Sequence, residues 1–321
     1  MHLDKKIRIG HLSTFYHTSL LMMAKPELCR CVEAEIEWKL FGTGPAIVNA
    51  FMSGELDMAY IGLPPAITGI DKGAGIVCIA GGHMEGTVIC AKSRYRGFPG
   101  TPDISDIMGQ FSGGTIGVPG RGSIHDVILR DCLASAGLAG EISVKNFPWA
   151  DMVLEAVVKE EVAAAFGTPA LAVAVKRYAG GKVLYPPHLL RPNNPSYGIV
   201  ADRQFLDSHG AAAEQFLMAH ENATRALREE PAASAARIAG HIGFIDADFV
   251  LETIALSPKY CGQLTDDYIA CTMSFVHTLK EQGFITRLVA EEEIFDCSMI
   301  SRIHTEKEHY SEGIRLNKEQ N

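Results

Sequence analysis

Residues 42–66 read GTGPAIVNAFMSGELDMAYIGLPPA and carry the clearest indication of the fold. A Gly-Thr-Gly turn follows a predicted strand, an apolar helix runs over residues 45–52, and Ser53-Gly54 ends that helix. The next predicted strand, 57–61, runs directly into Gly62-Leu63-Pro64-Pro65. Both turns therefore carry small residues and open backbone amides, which offer hydrogen-bond donors but no nucleophile, base or metal cage.

Short apolar runs alternate with helical patterns around this stretch, which predicts strand–helix units about a largely parallel sheet. Strands are predicted near residues 7–9, 36–40, 57–61, 76–80 and 88–91, and helices at 18–28, 45–52 and 65–72. Turn-forming residues then mark two crossings, at 96–102 and at 185–195.

A second set of units is predicted between those crossings. Its strands are 115–118, 142–147, 162–166 and 182–184, and its helices are 124–136, 151–159 and 169–178. A strand at 197–201 returns, and helices at 211–229 and 268–281 follow. The predicted fold class is α/β, with a discontinuous lobe I (residues 1–95 and 196–321), an inserted α/β lobe II (residues 96–195) and a helical C-terminal tail.

The composition is that of an ordinary globular chain, with 321 residues of which 47% are hydrophobic and 21% charged. Lys and Arg number 29 against 38 Asp and Glu, a net charge of −9, so no nucleic-acid partner is expected. The longest apolar run, 162–175, is interrupted by Gly167-Thr168-Pro169, so no membrane span is predicted.

The eight cysteines form no CxxC pair, and most lie in apolar surroundings. We interpret them as free buried thiols, a usage that favours a reducing compartment. Cys29-Arg30-Cys31 is the one candidate for a reactive pair, because the arginine could lower a thiol pKa at a partly exposed site.

The motif at 42–66, followed by the turn 72–75 and the apolar strand through 80–82, resembles the nitrate/sulfonate/taurine group of ABC-importer solute-binding proteins. It also resembles their relatives that bind the thiamine pyrimidine precursor. In the second lobe, residues 117–126 resemble the family's loop and helix, and 162–169 its strand that ends at the cleft. A valine, Val162, stands there in place of the usual acidic residue. The likeness covers about residues 7–300.

The resemblance implies a periplasmic-binding-protein type II fold whose two lobes close around a small molecule. The implied ligand is anionic, or small and heterocyclic or aromatic, and the implied partner is the membrane part of an ABC importer. No cofactor, no metal and no catalytic residue are implied, and the protein is expected to be a monomer. On matching positions, the implied ligand-binding residues are His11, Ser13, Thr14, Thr43, Gly44, Gly62, Leu63, Pro64, Ser123, Ile124, Thr168 and Tyr197.

Histidine is unusually placed in this chain. Of the 12 histidines, His11, His17, His83 and His125 fall on or next to the predicted cleft loops, and we add them to the candidate ligand-binding residues. They could donate to an oxyanion and charge partly at mild acidity, or they could hold a transition metal. The third interpretation is that each satisfies a loop carbonyl or faces solvent. They lack the i, i+3 or i, i+4 spacing that would favour a metal site.

Two other functions stay open at this level. One is an enzyme on the same fold, because the family's relatives include a desulfinase with a cysteine nucleophile and a thiamine-pathway pyrimidine synthase with cleft histidines. The other is a cytoplasmic ligand sensor. The chain reaches the strand 7–9 without room for a signal peptide. We therefore expect a periplasmic or lipid-anchored extracytoplasmic protein if a leader has been removed, and a cytoplasmic one otherwise.

Overall fold

Two β-sheets, each flanked by helices, form the framework of the protein in a computed structural model that describes residues 6–12 and 14–315. The first elements are β1 (Lys6–Leu12), α1 (Thr18–Ala24), β2 (Glu35–Phe41), α2 (Gly44–Met52), β3 (Met58–Ile61), α3 (Leu63–Asp71) and β4 (Ile76–Met84). The helix predicted at 18–28 ends early, at Ala24, because Pro26 lacks a backbone donor and disfavours helical geometry in the residue before it.

The next elements are β5 (Val88–Lys92), α4 (Ile104–Gly109), β6 (Thr115–Pro119), α5 (Ile124–Ser135), β7 (Ser143–Phe147), α6 (Ala150–Val158), β8 (Ala164–Gly167), α7 (Pro169–Ala179), β9 (Gly181–Tyr185) and α8 (Pro187–Leu190). The last are β10 (Pro195–Asp202), α9 (Arg203–Glu229), α10 (Pro231–Ile242), α11 (Ala247–Leu256), β11 (Lys259–Tyr260), α12 (Asp266–Glu281), α13 (Glu291–Ile294) and α14 (Ser298–Ile303). Within the described residues, no helix has both the length and the apolar character needed to cross a membrane.

The first sheet has six strands in the order β11-β4-β10-β3-β1-β2, and the second has five in the order β7-β6-β8-β5-β9. In the first sheet β1 runs parallel to β2 and β3, and in the second β6 runs parallel to β7 and β8. Strand β10 is antiparallel to its neighbours, as is β5. The predicted α/β class with two lobes is confirmed, and each sheet has one edge at which parallel strands end together.

We call the part of the chain around the six-stranded sheet lobe I and the part around the five-stranded sheet lobe II. Strand pairing places β5 in the second sheet, although the predicted lobe I continues to residue 95. We therefore propose that the first crossing lies at residues 85–87, between β4 and β5, and the second between β9 and β10. The domain boundaries themselves stay a prediction.

The C-terminal helices contact both lobes. Helix α10 packs on α1 of lobe I, and α11 packs on α7 of lobe II. Arg177 of α7 binds Asp246 and Glu252, with Nη1–Oδ2 and Nη2–Oε1 distances of 2.8 and 2.7 Å. Beyond α12, the Gln282 side chain donates to the Val127 carbonyl of α5 at 3.0 Å. The tail therefore holds one flank of each lobe against the other.

Asp57 joins the start of β3 to β1. Its carboxylate accepts from the Arg8 backbone N–H at 2.7 Å and from the Arg8 guanidinium at 2.6 and 3.0 Å, and Asp57 is almost fully buried. The ion pair fixes where β3 begins in the sheet. It therefore also fixes the position of the turn at Gly62, which follows β3. Asp57 is thus a structural residue, the role that its place at a strand start suggests.

We expect Asp57→Asn to lower the free energy of unfolding by about 1.5–3 kcal/mol, because a charge-assisted bond to Arg8 is lost in a largely buried place. Urea unfolding followed by circular dichroism measures the change. The matched control is Asp207→Asn, which alters an exposed carboxylate and should change stability by less than about 0.5 kcal/mol. Equal effects of the two substitutions would contradict the structural role of Asp57.

A closed cleft lined by helix N-termini

Five helices of nine or more residues begin at the edge where the two lobes meet: α2, α3, α5, α6 and α7. They follow the parallel strands β2, β3, β6, β7 and β8, and a helix that follows a parallel strand starts beyond the carboxyl end of that strand. Three of them are capped by side chains at their first turn: Thr43 accepts from Ala46 N–H, Ser123 from Asp126 N–H and Thr168 from Leu171 N–H. The cleft is therefore faced by the partial positive charge of five helix ends.

Prolines and caps limit which amides these helices offer. Pro45, Pro64, Pro65 and Pro169 occupy first turns and have no N–H, and each side-chain cap uses one more amide. The first amides of a helix have no partner within it. Of the remaining first-turn amides, those of Gly44, Ile124, His125 and Ala150 belong to residues that line the space between the lobes.

The lobes are in contact, and a cavity of about 50 Å³ lies between them. Gly120 of lobe II lies so close to Thr43 of lobe I that a Cβ atom on it would be 2.6 Å from the threonine methyl. A single water needs about 10–15 Å³ of such space, so the closed cavity holds a group of only a few heavy atoms. Leu12, Thr14, Tyr16, His17, Gly42, Thr43, Gly44, Gly62, Pro65, Pro119, Ser123, Ile124, His125, Ala150, Thr168 and Ser196 line it.

Most of the residues singled out from the sequence meet at this cavity. Thr14, His17, Thr43, Gly44, Gly62, Ser123, Ile124, His125 and Thr168 line it. His11 lines a neighbouring apolar cavity instead, and Leu63, Pro64, His83 and Tyr197 line neither. Ser13 lies outside the described residues. Whether these residues bind a ligand stays a prediction.

Ser196 lines the cavity although the sequence pointed to its neighbour Tyr197 instead. Side chains alternate between the two faces of a strand, so only one of two neighbours can face the cavity. In β10 that neighbour is Ser196, whereas Tyr197 is fully buried with its hydroxyl 3.3 Å from the Thr18 hydroxyl. Tyr16 was missed as well. The alternation is a sequence signal, but the face that it selects depends on how lobe II closes over the strand.

His83 lies behind the cavity and orients Ser196. Its Nε2 is 2.5 Å from the Ser257 carbonyl oxygen, which only accepts, so we assign the ring proton to Nε2. Nδ1 then accepts the Ser196 hydroxyl proton at 2.9 Å, while the Ser196 oxygen accepts from the Gly86 amide. His83 is therefore a buried residue that positions Ser196. It also satisfies a backbone carbonyl, which is the third interpretation given above for these histidines.

Three polar atoms near the cavity have no hydrogen-bond partner among the described residues: Nδ1 of His11, Nδ1 of His17 and Oγ1 of Thr14. All three residues are more than nine-tenths buried. The His17 ring packs against Tyr197, with ring centroids 4.0 Å apart. A buried polar atom without a partner costs about 1–3 kcal/mol, so a ligand that supplies the partner gains that amount.

The cleft histidines are neutral. Burial lowers the pKa of His11 and of His125 to about 4, and it holds the pKa of His17 well below its ordinary value. The expectation that they charge partly at mild acidity is therefore wrong for the closed form. Among the described residues no lysine or arginine lines the cavity. A negative charge there would be met by helix ends and neutral donors rather than by a cation.

The Cys29 thiol of the candidate reactive pair is unsuited to nucleophilic attack. Burial raises the pKa of Cys29 to about 11, so its thiolate is scarce at neutral pH. Elsewhere Cys261 Sγ lies 3.8 Å from His304 Nε2, and His304 Nδ1 is 2.6 Å from a Glu221 oxygen. That cysteine is fully buried, so a substrate cannot reach its sulfur. No group of three or more His, Cys, Asp or Glu side chains within residues 6–12 and 14–315 could hold a metal ion.

Comparison with known protein families identifies the family of this chain. The model of the NMT1-like family matches residues 3–243. The chain belongs to the NMT1-like family. A search of the curated proteins finds no match.

Several solved structures of similar fold are named as ligand-binding proteins. A ligand-binding component of an ABC-type import system from Staphylococcus aureus, with zinc bound, has a TM-score of 0.79 at 18% identity, covering 94% of this chain and 100% of that one. The alkanesulfonate-binding protein of Xanthomonas axonopodis pv. citri, bound to MOPS, has a TM-score of 0.76 at 18% identity, covering 91% and 98%. The periplasmic nitrate-binding protein of Synechocystis PCC 6803 has a TM-score of 0.74 at 12% identity, covering 94% and 88%. This NMT1-like chain therefore has the two-lobe fold of periplasmic binding proteins.

The neutral histidines make stability depend on pH. A histidine with a pKa of 6.5 in the unfolded chain and about 4 in the folded protein takes up its proton on unfolding, so its contribution is lost as pH falls below 6.5. We expect His125→Gln to flatten the fall of the unfolding free energy between pH 5.5 and 4.5 by nearly one proton, about 1.4 kcal/mol per pH unit. Urea titrations at a series of pH values measure the slope.

The exposed His241 supplies the matched control, because His241→Gln should leave that slope unchanged. A parallel loss of slope in both variants, or in neither, would show that His125 is not held neutral by burial.

Proposed function

We propose that this NMT1-like protein binds a small molecule with an oxyanion group in the cleft between its lobes and delivers it to the membrane subunits of an ABC importer. The observation that carries the proposal is the convergence of five helix N-termini on a cavity that has unpartnered buried polar atoms beside it and, among the described residues, no lysine or arginine in its lining. Helix ends of this kind bind anions through backbone amides. The neighbours that bind alkanesulfonate and nitrate support the same chemistry.

The donors suit an oxyanion better than a cation or a large neutral ligand. The amide of Gly44 comes from lobe I, and those of Ile124, His125 and Ala150 come from lobe II. Thr43 and Thr168 use their oxygens as caps, so their hydroxyl protons are free to point into the cavity. An oxygen-rich group can accept from both lobes at once, and this double contact favours the closed form over the open one.

The closed form is the state that an importer would read. A protein whose two conformations differ in ligand affinity shifts toward the one that binds better, by as much free energy as that difference supplies. Lobe closure here brings Gly42 of lobe I against Pro148 and Trp149 of lobe II. Delivery to membrane subunits follows from the neighbours that are components of ABC import systems. An extracytoplasmic location is part of the proposal.

Native mass spectrometry of freshly purified protein and thermal unfolding with added ligands test the proposal. The probes are methanesulfonate, nitrate and acetate, with cytosine as a neutral heterocycle. We expect at least one oxyanion to raise the melting temperature, since a ligand at 100 times its Kd adds about 2.7 kcal/mol. Stabilisation by cytosine alone would overturn the oxyanion assignment, and no retained small molecule together with no stabilisation would overturn the solute-binding role.

We expect Gly42→Ala to weaken binding of the stabilising oxyanion at least tenfold, about 1.4 kcal/mol, by opposing closure. A Cβ atom on Gly42 would lie 2.5 Å from the Pro148 carbonyl oxygen and 3.0 Å from the Trp149 ring in the closed form. Isothermal titration calorimetry measures the affinity. Gly75→Ala is the control, because its Cβ would meet no atom within 4 Å. Unchanged affinity in Gly42→Ala would mean that binding does not need this closed form.

A further inference from the structure

A second cavity of about 510 Å³ adjoins the cleft cavity, and Ala150 and Thr168 line both. Its walls are mostly apolar, with the five aromatic side chains of Phe15, Trp149, Tyr178, Phe244 and Phe249 and several aliphatic ones between them. We call this second cavity the apolar chamber.

Both lobes build the apolar chamber. Phe15 and Leu40 come from lobe I and Phe244 from the tail, whereas Trp149 and Tyr178 come from lobe II. Four of these side chains stay notably exposed: Phe244 by 80%, Tyr178 by 62%, Leu40 by 53% and Trp149 by 38%. Large apolar side chains gathered at one opening mark a binding surface, because a soluble protein otherwise keeps such a patch small.

Phe15 is held toward the chamber at a conformational cost. Its φ of 55° lies in the left-handed region, which a bulky side chain rarely adopts. The ring packs edge-on against Phe249 and Phe244, with centroids 5.8 and 6.5 Å away.

Charge in the chamber disfavours a second anionic group. The Asp151 side chain lines the chamber. The nearby guanidinium of Arg177 is bound to Asp246 and Glu252 and lies 5.4 Å from the Phe249 ring centroid, so its charge is already met. Among the described residues no lysine or arginine lines the chamber, so an uncharged group is favoured there.

Size divides the ligand in the same way. The cleft cavity of about 50 Å³ admits a few heavy atoms, whereas the chamber is about ten times larger. An apolar cavity of about 150 Å³ already accepts a benzene ring, so the chamber has room for one or two fused rings. Aromatic walls favour an aromatic occupant through stacked and edge-to-face contacts.

We propose that the ligand is an amphipathic monoanion, with an oxyanion head in the cleft cavity and an aromatic body in the apolar chamber. The neck between head and body passes Ala150 and Thr168. This inference rests on the proposed solute-binding function and names the class of ligand for that site.

Calorimetry with matched sulfonates tests the inference. The probes are methanesulfonate, which is the head alone, 2-naphthalenesulfonate, which adds the body, and 1,5-naphthalenedisulfonate, which adds a second charge. We expect 2-naphthalenesulfonate to bind at least tenfold more tightly than methanesulfonate, and the disulfonate to lose most of that gain. Equal or tighter binding of methanesulfonate would overturn the inference and leave the proposed function standing. If none of the three sulfonates binds, and nitrate and acetate do not bind either, both the inference and the proposed function are overturned.

Variants of the exposed chamber rim locate the body. The double variant Phe244→Ala/Tyr178→Ala removes two largely exposed side chains, so it should fold normally. We expect it to reduce the affinity ratio of 2-naphthalenesulfonate to methanesulfonate at least threefold. Leu288→Ala, at an exposed apolar residue that does not line the chamber, is the control and should keep the wild-type ratio. A ratio unchanged in the double variant would place the aromatic body elsewhere and overturn the assignment.

Discussion

The organisation of this protein depends on one constraint: a helix that follows a parallel strand must start at the carboxyl end of that strand. Each of the two sheets meets this constraint separately, so several helices begin at one edge of each sheet. When those edges face each other, the first-turn amides of five helices converge without any side chain having to supply the charge. The prolines and side-chain caps of the first turns then decide which amides stay available, and so the site is built mainly from backbone.

Neutral histidines fit that scheme. A charged imidazole in so buried a place would have to be desolvated, and its pKa falls instead. The ring nitrogens of His11 and His17 are then available as neutral hydrogen-bonding groups beside the helix ends. An oxyanion can be held in this way without a fixed cation, so a bound ion need not break a salt bridge to leave. Such a site suits a protein that must release what it carries.

In the proposed site, the cleft cavity recognises the head of the ligand and the apolar chamber recognises its body. Directional donors in the small cavity fix the orientation of the head, whereas burial of apolar area in the chamber is nondirectional and grows with the size of the body. Because both lobes and the tail contribute walls, the same movement that buries the head also completes the chamber. Affinity and closure are therefore coupled by the architecture.

Local patterns in the sequence predicted ten of the eleven strands and most helices of the described residues. The resemblance to the family implied Thr43, Ser123 and Thr168, and all three line the cavity and cap the helices that begin there. Prediction from the sequence failed for features that depend on contacts between distant parts of the chain. Ser196 rather than Tyr197 faces the cavity, and His83 supports that serine from behind, because strand faces are assigned only when lobe II packs over β10.

By itself the sequence determined the α/β class, the two lobes, the helix starts and the lack of a positive overall charge, all of which follow from residues close together in the chain. Only the tertiary structure decided that the cleft histidines are neutral, that burial raises the pKa of Cys29, that the cleft cavity admits a few heavy atoms, and that an aromatic chamber adjoins it. Each of these depends on burial, and burial is set by residues that are far apart in sequence and adjacent in space.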